Sequence, residues 1–147
     1  MTTFLRGDFA HDLASDHRRL LSRCRQLEQA LNSASLVDSQ VHEELRRLEH
    51  ELDEHFAEEE RGGLFTRVLA ECPHFSQKVD RLARQHREFR FAIRALKSTC
   101  RMACGDSGAR DGWLAAFADF SRSFAEHERA EHELLLDATE QDLGSGD

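Results

Sequence analysis

Six histidine and glutamate residues fall at helical spacing on positions where the neighbouring residues predict the buried face of a helix. They are His17, His55, Glu59, His86, His127 and Glu131. A buried imidazole or carboxylate is costly unless it is paired, hydrogen-bonded or bound to a metal. Four imidazoles and two carboxylates converging in one core therefore predict a metal cluster.

The apolar residues around these six recur in alternating steps of three and four. This spacing is typical of helices packed in a bundle, and no segment competes with it by the alternation of a strand. The four runs cover 13–31, 41–59, 79–100 and 113–134. Short loops between long helices make neighbours antiparallel, so we predict an all-α, up-down-up-down four-helix bundle.

Two of the breaks between the runs carry residues that suit a helix start. The segment 32–39 (NSASLVDS) predicts a turn, with Asp38 or Ser39 as the N-cap of the second helix. The segment 105–112 (GDSGARDG) predicts the last loop, with Asp111 as the N-cap of the fourth helix.

The remaining break contains two glycines and the one proline of the chain. Gly62 and Gly63 are expected to end or kink the second helix, and 64–70 to form a short extra helix before Pro73. From about Thr139 the chain is expected to be frayed.

The four histidines are expected to lie at one level of the bundle. In an antiparallel hairpin, two residues equidistant from the loop lie side by side. The midpoint between His17 and His55 falls inside the first predicted loop, and that between His86 and His127 inside the last. The two glutamates lie one turn further along their helices.

The two halves of the chain repeat the same pattern. Adding 69 to His17 gives His86, and adding 72 to His55 gives His127. The same shifts superpose the flanking apolar residues of the first two runs on those of the last two. The repeat predicts a site of pseudo-two-fold symmetry, with one histidine from each helix and one carboxylate from the second and fourth.

The other five histidines lie off the predicted buried faces. His50 forms a surface-type pair with Glu54 four residues later. We predict that this group is solvated, with His132 kept open as a possible further ligand: His11, His42, His50, His74 and His132.

Composition favours one domain with an acidic surface. The 147 residues are expected to form a single domain at 1–147, with its core at about 9–137 and a flexible tail at about 139–147. The formal net charge of −8 argues against nucleic acid or an anionic membrane as partner. No signal peptide or membrane-spanning run is recognised, so the expected compartment is the cytoplasm.

The four cysteines show no disulfide framework. Cys100 and Cys104 form a C-x3-C pair, which would suit a redox or metal site. Cytosolic thiols stay reduced and a free cysteine behaves as a small apolar residue, so we predict small, at least half-buried side chains.

The ligand types favour two iron ions. Four histidines and two glutamates exceed the four ligands of a structural zinc, and they are not the oxygen-only set of calcium or magnesium. Mixed imidazole and carboxylate ligation suits iron, with manganese or zinc as substitutes. Two bridging glutamates, two histidines per metal and an oxo or hydroxo bridge leave one position open on each octahedral metal. The ferritin-like Glu-x-x-His motif occurs on none of the predicted buried faces.

These motifs resemble the hemerythrin family, specifically the bacterial HHE cation-binding domains, over about 9–137. The matching segments are DHRRL around His17, HFAEEERGGLF from His55, QHREF around His86 and HERAEHELLL from His127. The resemblance implies a bundle with a carboxylate-bridged, non-haem di-iron centre. The ligands that it implies are His17, His55, Glu59, His86, His127 and the carboxylate on the fourth helix.

Two positions depart from oxygen-carrying hemerythrin. That group has a second histidine one turn before the third-helix histidine, where this chain has Leu82, and an aspartate five residues after the fourth-helix histidine, where this chain has His132. The chain is closer to the HxxxE/HxxxE members, which resemble iron-sensing domains and proteins that repair iron centres after nitrosative stress. We interpret Leu82 as leaving both irons open, unless His132 supplies a fifth imidazole.

The resulting functional hypothesis is a di-iron protein that binds O2 or a related small ligand such as NO or peroxide for sensing, storage or detoxification. One alternative is a di-iron enzyme with peroxidase, oxidase or NO-reducing activity. Another is an iron-responsive interaction module that folds when metal is bound.

Overall fold

The structure, a computed structural model, describes residues 7–33 and 37–145, with side chains described as far as residue 141. The helices of these ranges are α1 (Asp8–Ser33), α2 (Asp38–Glu60), α3 (Leu64–Glu71), α4 (Ser76–Ser98) and α5 (Ser107–Ser145). Short 3-10 helices, Pro73–Phe75 and Cys100–Cys104, precede α4 and α5. The predicted all-α class is confirmed.

The four long helices form a closed antiparallel bundle. The helix α1 packs against α2 and α5, and α4 packs against the same two helices. The short α3 buries Leu64, Phe65 and Val68 and contacts α2, α4 and α5. The predicted up-down-up-down topology is therefore confirmed.

The predicted apolar faces are the buried faces of the helices, and they form two hydrophobic clusters. The larger cluster contains Leu20 and Phe124, and the smaller contains Leu13 and Leu134. On α1, His17 lies between Leu13 and Leu20. The six predicted polar residues thus lie in a buried layer between the two clusters.

The start of α2 differs from the prediction. Its N-cap is Val37, so the expectation that Asp38 or Ser39 caps the helix is wrong. Asp38 lies in the first turn, where its carboxylate accepts a hydrogen bond from the Cys100 thiol at 3.1 Å. The Asp38 side chain, predicted to cap the helix, thus bonds to Cys100 in a distant part of the chain. Residues 34–36 of the predicted turn lie outside the described ranges.

The start of α5 also differs. The helix begins at Ser107, so Asp111 is inside it and is not the N-cap. The Asp106 carboxylate instead accepts a hydrogen bond from the backbone N–H of Ala109 at 3.0 Å, as an N-cap side chain does. The two later glycines of the segment are tolerated within the helix.

The end of α5 runs further than the expected fraying point at about Thr139. The helix continues to Ser145, and residues 146–147 lie outside the described ranges. Leu134, Leu135 and Ala138 are buried in the smaller cluster, and their packing extends the helix past this point.

The break after α2 follows the prediction. Gly62 has a φ of +99°, a conformation that favours glycine, and the short helix that follows it is confirmed. At Gly63, a Cβ would lie 2.4 Å from the carbonyl oxygen of Glu58. This position requires glycine because the chain folds back tightly on the last turn of α2.

None of the four cysteines, all of them described residues, forms a disulfide bond. Cys24, Cys72 and Cys100 are buried and Cys104 is half-buried, as small apolar side chains would be. Cys100 lies beyond the end of α4, in the 3-10 helix. In the described part of the chain, no helix combines the length and apolar character needed to span a membrane.

Candidate metal centre

The structure brings the six predicted residues together in one buried layer. None of them is more than 7% exposed: His17, His55, Glu59, His86, His127 and Glu131. The imidazole centroids of His17 and His55 are 5.1 Å apart, and those of His86 and His127 are 5.0 Å apart. The layer therefore consists of two histidine pairs, one from each helical hairpin.

Glu59 lies between the two pairs. Its Oε2 is 3.2 Å from the Nε2 atoms of both His17 and His55. Its Oε1 is 3.2 Å from Nε2 of His86. One carboxylate thus presents one oxygen to each half of the site.

Glu131 repeats this arrangement from α5. Its Oε1 is 3.2 Å from Nε2 of His17. Its Oε2 is 3.3 Å from Nε2 of His86 and 3.0 Å from Nε2 of His127. Two carboxylates that each face both halves have the geometry required to bridge two cations.

A seventh residue, Glu128, also lies in the layer, although it was not predicted from the sequence. It is 3% exposed, with Oε2 at 2.6 Å from Nε2 of His17 and Oε1 at 3.5 Å from Nε2 of His55. It follows His127 directly and lies beside the apolar stripe of the helix. The alternating spacing of three and four residues goes from His127 to Glu131 and so does not include it. The internal repeat held a signal, since subtracting 72 gives Phe56, a fully buried position.

The donor atoms fit a bound cation. Within the described residues, these buried side-chain atoms have no hydrogen-bond partner: His55 Nε2, His127 Nε2, Glu59 Oε1, Glu131 Oε1 and both oxygens of Glu128. Folded cores rarely leave such atoms unpaired. Two groups of side chains each hold their ligand atoms within 4.8 Å of one another. One is His17, His55, Glu128 and Glu131, and the other is Glu59, His86, His127 and Glu131.

Comparison with protein families agrees with this geometry. The family model described as hemerythrin HHE cation binding domain matches residues 8–139, which include the whole layer. The chain belongs to this family. Membership implies that the buried cluster of this HHE domain binds a metal cation. Searches among curated proteins and among solved structures found no match.

Two residues orient the histidines of the α4–α5 half of the HHE domain. Nδ1 of His86 lies 2.6 Å from Oε2 of Glu60, and Nδ1 of His127 lies 2.6 Å from Oε1 of Gln85. Such hydrogen bonds fix the rings so that Nε2 faces the cation. Neither partner was predicted from the sequence, because both residues lie off the predicted buried faces.

Aromatic rings enclose the same half. The imidazole of His86 stacks between Phe56, at 4.0 Å, and Phe65, at 5.1 Å. Phe89 lies edge-on to His127 at 5.2 Å. These rings keep water away from the α4–α5 half.

The α1–α2 half instead borders a surface pocket. Its volume is about 490 Å³, and its lining includes the buried His55 and Glu59. Asp12, Asp16 and Glu58 also line it, so the approach to this half is acidic.

Charge coupling within the metal-free layer is strong. Burial alone would lower the pKa of an imidazole, but the adjacent carboxylates outweigh it. They raise the pKa of His17 to about 12, that of His55 to about 10 and that of His86 to about 9. Without metal, protons therefore occupy the space between these groups, and a cation must displace them to bind.

The five histidines predicted to be solvated are exposed: His11, His42, His50, His74 and His132. His50 pairs with Glu54 at 2.8 Å on the surface of α2. The exposure of His132 removes it as a fifth imidazole of the cluster.

Proposed function

We propose that this HHE domain holds two iron ions and binds a small ligand such as O2, NO or peroxide. The ligands would be His17, His55, Glu59, His86, His127 and Glu131. The observation that carries the proposal is the position of Glu59 and Glu131, which each direct one oxygen to each histidine pair. A single cation would leave half of these donors unpaired.

The donor set favours iron among the available cations. Imidazole with carboxylate is a combination that iron accepts readily, with manganese and zinc as competitors. Bound iron would supply redox chemistry and an open coordination position. The protein's own part is to hold the rings through Glu60 and Gln85 and to exclude water with Phe56 and Phe65.

The biological role that we propose is sensing, storage or detoxification of the small ligand in the cytoplasm. Four cysteines without a disulfide bond suit a reducing compartment. The net charge of −8 disfavours nucleic acid and anionic membranes as partners.

A second candidate is a di-iron enzyme that turns over peroxide or NO. The pocket of about 490 Å³ beside His55 and Glu59 favours it, because an enzyme needs a route for substrate and product to and from the buried layer. Turnover above that of free iron, abolished in Glu59→Ala, would support the enzyme over the sensor.

Metal analysis of protein purified from iron-replete cells, with its absorption spectrum, tests the proposal. We expect about two irons per chain and a near-ultraviolet charge-transfer band. Glu59→Gln should lose iron, whereas Glu54→Gln, a change at an exposed glutamate of the same helix, should retain it. One zinc per chain and a featureless spectrum would contradict the proposal.

A further inference from the structure

We infer that Glu128 is a seventh protein ligand, which completes the coordination of the metal beside His17 and His55. The metal beside His86 and His127 would then be the one that binds the small ligand. The inference rests on the proposed two-metal site and makes its two positions inequivalent. A symmetric site, with both positions open, is the alternative that the internal repeat predicts.

The position in the α1–α2 half has five protein donors. His17 and His55 each offer Nε2, Glu59 offers Oε2 and Glu131 offers Oε1. Glu128 adds a fifth donor, because its oxygens lie 2.6 and 3.5 Å from those two Nε2 atoms. With one atom shared between the metals, an octahedral ion there is complete.

The position in the α4–α5 half has four protein donors. His86 and His127 offer Nε2, Glu59 offers Oε1 and Glu131 offers Oε2. With the same shared atom, an octahedral ion there keeps one place for an exogenous ligand.

The state of the Glu128 carboxylate supports its assignment. Both oxygens are buried and make no well-directed hydrogen bond within the described residues, although Oε2 lies only 2.6 Å from Nε2 of His17. They face ring nitrogens whose lone pairs would repel them unless a proton or a cation lies between. Two divalent cations and one shared hydroxide would carry three positive charges, so three carboxylates would leave no net charge where two would leave +1. The third carboxylate would thus neutralise the buried site.

The internal repeat shows why the other half lacks this ligand. The position equivalent to Glu128 is Phe56, whose ring stacks on His86 at 4.0 Å and has no donor atom. Phe65 and Phe89 complete an apolar border around His86 and His127. The open position therefore faces a dry environment suited to a small, weakly polar ligand such as O2 or NO.

Mössbauer spectroscopy of the full-length protein, loaded with ferrous iron enriched in the active isotope, tests the assignment. In the unaltered protein we expect two quadrupole doublets of equal area. Glu128→Ala should shift or remove one doublet and leave the other in place. Glu128→Gln keeps the shape of the side chain and is compared in parallel, so that a folding failure of the alanine variant does not decide the result.

The matched control is Glu126→Gln, a change at an exposed glutamate two residues away on α5, which should give both doublets unchanged. Nitric oxide added to the ferrous protein should alter one doublet in the unaltered protein and both in Glu128→Ala. The inference is overturned if both Glu128 variants give the spectrum of the unaltered protein, or if NO alters both doublets before any substitution. Absence of iron from the unaltered protein would instead overturn the proposed function.

Discussion

The two hairpins of the bundle supply the same pair of histidines but surround them differently. In the α1–α2 half, His17 and His55 face the carboxylate of Glu128 and border a surface pocket. In the α4–α5 half, His86 and His127 are enclosed by phenylalanines and held by Glu60 and Gln85. The repeat therefore fixes where the donors are, and the flanking residues decide what each half can do.

The differences occur at equivalent positions of the repeat. Subtracting 69 from Gln85 gives Asp16, whose carboxylate pairs with Arg19 at 3.6 Å, whereas Gln85 contacts Nδ1 of His127. Subtracting 72 from Leu134 gives Gly62, so α2 ends where α5 continues. The α1–α2 half thereby borders a surface pocket, and Gly62 forms part of the lining of that pocket.

The largest effect is expected from removing a carboxylate that both halves share. Glu131→Ala should reduce iron from about two per chain to near zero, because each position loses an oxygen ligand. His17→Ala should chiefly empty the α1–α2 position. Metal analysis after gel filtration measures the iron content of both variants. Equal losses of iron would contradict the distinction between a ligand shared by the two halves and a ligand of one half.

The metal-free protein should lose stability as pH rises. The folded pKa values of His86 and His55, about 9 and about 10, lie above the ordinary value of 6.5. Their bound protons therefore stabilise the fold fully below about pH 6.5, and this contribution is lost progressively up to about pH 10. We expect urea unfolding free energies to fall by roughly a few kcal/mol across that range, and by much less in the metal-loaded protein.

A smaller effect is expected from the residues that orient the rings. Gln85→Ala should weaken metal binding about 10- to 100-fold, since it removes the hydrogen bond to Nδ1 of His127. Asp16→Ala, at the equivalent position of the other half, should have little effect. Competition with a chelator of known affinity measures both, and similar losses would show that Asp16 also orients its histidine.

The smallest effect concerns the break after α2. Gly63→Ala should destabilise the protein by about 1–3 kcal/mol, because the added methyl group meets the Glu58 carbonyl and must displace backbone next to Glu59. Gly112→Ala, within α5 and with open space around it, should stabilise by about 0.5–1 kcal/mol. Thermal unfolding of the two variants compares them, and a neutral Gly63→Ala would show that the turn can relax.

The sequence alone determined the bundle and six of the seven residues in its polar layer. Alternating steps of three and four are a property of each helix by itself, so His17 and Glu59 can be placed on a buried face without knowing what packs there. Because the midpoint of each histidine pair falls inside a loop, the four histidines can also be placed at one level of the bundle. The leucine at position 82, where oxygen-carrying hemerythrin has a histidine, is likewise a feature of the sequence alone.

Only the tertiary structure decided the residues on the flanks of those faces. Whether Glu128 points into the layer or into solvent depends on the rotation of α5 against its neighbours, which local spacing leaves undetermined. Glu60 and Gln85 likewise find their partners on other helices. Asp38 illustrates the same limit, because its capping chemistry is local but the thiol that it contacts is 62 residues away. The symmetry of the site could therefore be predicted from the chain, whereas packing decided which of the residues that differ between the two halves enter the site.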